Sequence, residues 1–283
     1  MSAVLAAQGL TRRFGDVTAV DDVTLEVRPG EVVGLLGANG AGKTTTIRML
    51  LGLIAPTDGT AFLLGGVPER ETRRRLGYVP QGLGLYTELT VRQNVAFSAQ
   101  AYAVPPAHLE GALAPVADRL VRDLPRGLQR QLAFVAALQH DPEVLVLDEP
   151  TSGVEPLASA RLWDRIRAEA ERGAGVLVTT HSMEEARQCD RLLLMAQARL
   201  VGSGSERDLV AGTRAVAVVT DTWTEAFDAL TRAGELVTLD GRSVRVVDRD
   251  PAAVERVLAE AGVTARVTQV PATLEERMAA LSA

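Results

Sequence analysis

Residues 37–44 read Gly37-Ala38-Asn39-Gly40-Ala41-Gly42-Lys43-Thr44 and fit the pattern G-x-x-x-x-G-K-[ST]. Glycines at this spacing let successive backbone N–H groups turn inward around phosphate oxygens. The start of a following helix adds the positive end of its dipole. The lysine of such a loop reaches β- and γ-phosphates, and the hydroxyl of Thr44, followed by Thr45, can ligate Mg²⁺. Lys43 is notable on composition alone. The chain has 283 residues and 30 basic side chains, of which Lys43 is the only lysine and the remainder are arginine. A compact ammonium and a planar guanidinium are not equivalent beside a phosphate, so a lone lysine at this position points to phosphate chemistry.

A second chemical element follows the apolar run Val144-Leu145-Val146-Leu147. Asp148, at the end of a buried strand, is placed to hold Mg²⁺. Glu149 can accept a proton from, or orient, an attacking water. An Asp-Glu pair that merely caps the next helix would explain neither the apolar strand nor the partnership with the glycine-rich loop.

These residues need elements to position them. Residues 17–29 alternate apolar and polar and end at Pro29-Gly30, which predicts a strand and a turn. Val32–Leu36 is a short apolar run leading into the loop, and 43–53 has helical composition. Helices are expected over 90–100, 126–139 (Leu128, Leu132, Val135 and Leu138 at helical spacing) and 156–172. A further buried strand, Val176–Thr180, leads into His181. Short apolar runs alternating with helices predict an α/β fold with a mainly parallel sheet. Beyond Gly204–Gly212 the pattern changes to strands at 214–220, 235–240, 243–248 and 264–269, with helices at 223–233 and 251–261. That order predicts a small ferredoxin-like α+β domain. The expected division is therefore 1–212 and 213–283.

Composition narrows the class. The chain is 47% hydrophobic and 23% charged, as expected of a globular protein, with no apolar run long enough to span a bilayer. A net charge of −6 argues against a nucleic-acid partner. The single cysteine, Cys189, fits a reducing compartment, and MSAVLAAQGL lacks the basic region of a secretory signal.

Together these residues resemble the ABC (ATP-binding cassette) ATPase family over 1 to about 212. The resemblance implies a P-loop ATPase that uses ATP and Mg²⁺. Gln81, in Gly77-Tyr78-Val79-Pro80-Gln81, matches the family's Q-loop, which touches the metal and the membrane partner. His181 matches the switch histidine that contacts the γ-phosphate, and Phe14 matches the aromatic that stacks on adenine. Leu145–Leu157 and His181–Ala186 look most like exporter ATPases that pair with a separate permease. The implied partners are that permease and a second ATPase subunit, a homodimer being expected, at the cytoplasmic face of the membrane.

Three features depart from the family pattern. The signature, usually Leu-Ser-Gly-Gly-Gln, reads Leu124-Pro125-Arg126-Gly127-Leu128-Gln129. Pro125 has neither hydroxyl nor N–H, and Arg126 replaces a glycine. Either Gly127, Gln129 and the helix N-terminus still bind phosphate while Arg126 faces solvent, or Arg126 reaches the γ-phosphate across the dimer. Glu155 stands where the D-loop normally has aspartate. The stretch from Gln81 to Leu124 is shorter than usual, so the helical region is expected to lack part of a helix. The resemblance leaves two other readings open, a soluble ATP-dependent switch without transport and a binding-only subunit of a heterodimeric transporter. The first is opposed by the single cassette without a long coiled-coil insertion, the second by the intact Glu149 and His181.

Overall fold

The structure, a computed structural model, describes residues 2–282. The chain divides into two compact units between Leu200 and Val201.

In the first unit, β1 (Leu5–Phe14) and β2 (Val17–Val27) form an antiparallel hairpin. Next come β3 (Val32–Leu36), the glycine-rich loop and α1 (Lys43–Leu50). The helix stops before the expected Leu53 because the chain turns into the left-handed region at Gly52, with φ 64°. β4 (Asp58–Leu63) pairs with β1, giving a three-stranded antiparallel sheet in the order β2-β1-β4. Then follow α2 (Arg70–Arg73), β5 (Leu76–Val79) and α3 (Val91–Tyr102). Thr90 caps α3 in a box: its hydroxyl accepts from Gln93 N at 3.2 Å, and Gln93 Oε1 accepts from Thr90 N at 2.9 Å. Between α3 and α4 (Arg126–Leu138) the helical structure consists of two 3₁₀ turns, 111–116 and 121–123, rather than an α-helix.

The rest of the unit is β6 (Val144–Asp148), α5 (Pro156–Glu171), β7 (Gly175–Thr180), α6 (Met183–Ala186) and β8 (Arg191–Ala196), followed by β9 (Arg199–Gly204), the strand within which the division falls. The second sheet has the order β5-β6-β7-β3-β8-β9, and its first five strands are mutually parallel. Every residue of β3, β6 and β7 is buried, which is why their sequences are unbroken apolar runs rather than alternations. Alternation survives in the packing. Val33, Leu35, Val144 and Val146 face Ile47 and Leu50 of α1 and the antiparallel sheet. Val32, Leu145, Leu147 and Val176 face Phe134 of α4 and Trp163 and Ile166 of α5. Parallel pairing carries the ends of β6, β7 and β3, three neighbours, to one edge of the sheet. Asp148 pairs with Thr179, and Leu36 with Thr180.

In the second unit, α7 (Glu206–Val210) precedes β10 (Arg214–Val219), α8 (Trp223–Arg232), β11 (Val237–Asp240), β12 (Ser243–Val247), α9 (Pro251–Glu260), β13 (Arg266–Pro271) and α10 (Leu274–Ser282). Its antiparallel sheet runs β11-β12-β10-β13, the ferredoxin-like arrangement. α7 packs on α10 and so belongs with the second unit, which begins before the 212/213 boundary read from sequence. The added helix α10 is tied to β12 by Glu276, which is 2% exposed and paired with Arg245.

Candidate functional site

The loop after β3 is shaped by close contacts. A Cβ at Gly42 would lie 2.5 Å from the carbonyl oxygen of Ala19, and its φ of 105° is left-handed, so the position takes glycine on two grounds. A Cβ at Gly37 would come within 2.4 Å of the Met195 carbonyl oxygen. Asn39, Gly40, Lys43, Thr44 and Thr45 line a cavity of about 530 Å³, while Ala41 turns into the core. Lys43 is only 6% exposed. Its Nζ donates to Gly37 O at 2.7 Å and Ala38 O at 3.2 Å and lies 4.0 Å from Glu149 Oε1. Burial holds its pKa below the ordinary lysine value, against the pull of the Glu149 and Asp148 carboxylates.

At the end of β6 the two carboxylates are held differently. Asp148 is 2% exposed and accepts from Thr179 Oγ1 at 2.6 Å and from Thr44 Oγ1 at 3.1 Å. It thus joins the glycine-rich loop to β7. Glu149 has φ 51°, a left-handed conformation uncommon for a residue with a side chain. That turn is held by its amide, which donates to Thr179 Oγ1 at 3.0 Å and Thr179 O at 3.2 Å. Strained backbone of this kind, over-determined by its neighbours, is characteristic of working sites. Around the Glu149 carboxylate stand Gln81 Nε2 at 3.3 Å and His181 Nδ1 at 3.4 Å, with Lys43 Nζ on the third side.

Lys43, Thr44, Gln81, Asp148, Glu149 and His181 therefore converge, although they come from four separate stretches of chain. Phe14 lies outside the lining of that cavity. It is 49% exposed, with the Arg12 guanidinium 4.5 Å from its ring centroid. Pro125, Arg126, Gly127 and Gln129 also stay away from the cavity in their own chain. Pro125 caps α4 without a side-chain bond, and the amides of Leu128 and Gln129 donate to its carbonyl. Gln129 serves as a strut, its Nε2 donating to Val121 O at 3.0 Å and Leu124 O at 2.9 Å. Arg126 is exposed and sits beside Gly153, where a Cβ would meet Nη1 at 3.4 Å.

Comparison with known proteins fits this geometry. Residues 20–152 match the family model described as ABC transporter. The chain is 38% identical to the Nod factor export ATP-binding protein I of Cupriavidus metallidurans, over 98% of this chain and 96% of that one. The chain belongs to the ABC transporter family, as an ATP-binding cassette. The cassette is also 41% identical over 220 residues to the probable multidrug ABC transporter ATP-binding protein YbhF of Escherichia coli. That match takes in 74% of the cassette and spans 38% of the longer relative's length. Among solved structures, an ATP-binding subunit of an ABC transporter shares 30% identity at a TM-score of 0.66, covering 73% of the cassette and 91% of that chain. The cbiO1 protein of Clostridium perfringens, 22% identical with a TM-score of 0.63 and coverage of 83% and 98%, shares the fold.

Two residues of the cassette's site carry no motif. Thr179 was visible only as a polar residue inside an apolar strand. Arg130, 5% exposed, lies on the buried face of α4 with Ala133, Phe134 and Ala137. A charged residue in phase with that face was the available signal.

Proposed function

We propose that the cassette binds ATP with Mg²⁺ between two copies of itself and hydrolyses it to drive a separate membrane permease in export. The observation that carries this reading is one carboxylate, Glu149, met by Gln81, His181 and the only lysine beside a phosphate-binding loop.

The loop amides and Lys43 bind the triphosphate, and Glu149, oriented by Gln81 and His181, accepts the proton of the attacking water. Water oxygen bonds to the γ-phosphorus as the bond to the bridging oxygen breaks, giving ADP and orthophosphate. Catalysis of this kind is positioning and charge stabilisation in a site whose donors are already fixed. Among the described residues no cluster of three or more His, Cys, Asp or Glu could hold a metal alone. The oxygen donors of Thr44, Asp148 and Gln81 instead suit Mg²⁺, which binds through few protein ligands and takes the rest from phosphates and water. When bound, the cation neutralises charge developing on the β- and γ-oxygens.

Across the dimer, the Pro125–Gln129 segment and the N-terminus of α4 reach the partner's nucleotide, and Phe14 stacks on adenine. The transport reading is supported by the names of the relatives, which concern multidrug and Nod factor export. Among the described residues no helix is long and apolar enough to cross a membrane, which agrees with peripheral attachment through a permease at the cytoplasmic face. The test is Glu149→Gln. It retains ATP binding, loses turnover by at least about 100-fold, and co-purifies with a polytopic membrane protein from detergent extracts. Undiminished turnover refutes the assignment of Glu149, and absence of any membrane partner refutes the transport reading.

A further inference from the structure

Beside the nucleotide cavity lies a second one, of about 250 Å³, between the Gln81 loop, the start of α4 and the loop after Glu149. Its walls include Gln81, Gly82, Arg126, Gln129, Arg130 and Ser152. Gln81 and Ser152 also line the nucleotide cavity, so the two spaces meet at these side chains. We propose that this second cavity is a subsite for the orthophosphate cut from ATP, occupied on its way out past Gln81. The inference rests on the ATPase reading and extends it.

Three observations carry it. Arg130 is 95% buried in its own chain, yet its Nη1 has no hydrogen-bond partner among the described residues. A buried guanidinium N–H without an acceptor is costly, and an oxyanion is the acceptor its planar fork fits best. Arg126 supplies a second cation on the same wall. The cavity is also large enough for a tetrahedral oxyanion and several waters, at about 30 Å³ per water.

Nearby charges set the strength of binding. Burial disfavours the Arg130 charge, while Glu149, Asp148 and Glu185 favour it and Arg126 opposes it. The same carboxylates repel an anion seated against Arg130. Binding is therefore weak, as a product in transit requires. The site is distinct from the P-loop, which holds the nucleotide, and it shares Arg126 and Gln129 with the segment placed against a partner's nucleotide. Its groups all come from one chain.

The experiment uses the full chain with its nucleotide site filled by Mg²⁺ and a non-hydrolysable ATP analogue. Orthophosphate is then titrated at constant ionic strength while thermal unfolding is followed. The wild type gains roughly 3–6 °C at ten times the dissociation constant. Arg130→Gln and Gly82→Asp both lose that gain. The second variant guards against misfolding of the first, because a Cβ at Gly82 meets nothing within 4 Å. In steady-state turnover, orthophosphate inhibits the wild type without competing with ATP, and Gly82→Asp weakens that inhibition. No stabilisation of the wild type, equal stabilisation of Gly82→Asp, or stabilisation without inhibition of turnover each overturns the subsite. Failure of the analogue itself to stabilise the chain refutes nucleotide binding, and the subsite with it.

Discussion

Replacing Thr179 by valine keeps the shape of a fully buried strand residue and removes one hydroxyl. That hydroxyl donates to Asp148 Oδ1 at 2.6 Å and accepts from the Glu149 amide at 3.0 Å. A hydrogen bond to a buried charge contributes about 1.5–3 kcal/mol. The amide retains Thr179 O at 3.2 Å, so its share is smaller, about 0.5–1 kcal/mol. Thr179→Val should therefore cost roughly 2–4 kcal/mol, or about 5–15 °C in Tm for a unit of this size. Asp148 is left with Thr44 as its remaining side-chain donor, at 3.1 Å. Mg²⁺-dependent nucleotide affinity should fall alongside stability. Thr179→Ser keeps the hydroxyl, and its loss should be limited to about one methyl, ~1 kcal/mol. Thermal unfolding by circular dichroism, with nucleotide titrations in Mg²⁺ and in chelator, measures both effects. If valine melts with the wild type while serine is the more damaging, the hydroxyl is not what ties β6 to β7 and the reasoning fails.

Two further outcomes follow from half-buried titrating groups. The Cys189 thiol is pushed up to about 12 from 9.0, chiefly by burial. At pH 8 its thiolate fraction, and so its maleimide labelling in the native state, should be about a thousandfold below that of an ordinary thiol; rapid native labelling would contradict this. Glu185 is raised above 4.5, mainly by burial and despite its hydrogen bond from Thr180. The folded state then holds this proton longer than the unfolded one, so stability is lost as pH rises from 4.5 through the raised value. The Tm advantage of Glu185→Gln should accordingly grow from pH 4.5 to 7, and an advantage that shrinks over this range rejects the assignment.

Much of the nucleotide cavity was legible because its chemistry is local in sequence. The loop at 37–44 and the pair Asp148-Glu149 each follow an apolar strand whose burial on both faces removes any ambiguity of period. The N-terminal antiparallel sheet was legible only through β2. Bulges in β1 near Ala7, Leu10 and Arg12 break its alternation, and β4 is exposed over its first half. Thr179 and Arg130 were hidden for another reason. Each acts through a partner that only the sheet order or the buried face of α4 brings near. The ferredoxin-like unit was readable from element order, whereas α10 depends on the Arg245–Glu276 pair, which no local pattern announces.

The most direct test of the account is calorimetric titration of a non-hydrolysable ATP analogue with Mg²⁺ into the wild type and Lys43→Ala. Loss of the ammonium removes charge-assisted contacts of about 1.5–3 kcal/mol, so affinity should fall about 10- to 150-fold while the fold is retained. Binding that is absent from the wild type, or as strong without Lys43 as with it, contradicts the claim that this loop grips a triphosphate beside Glu149.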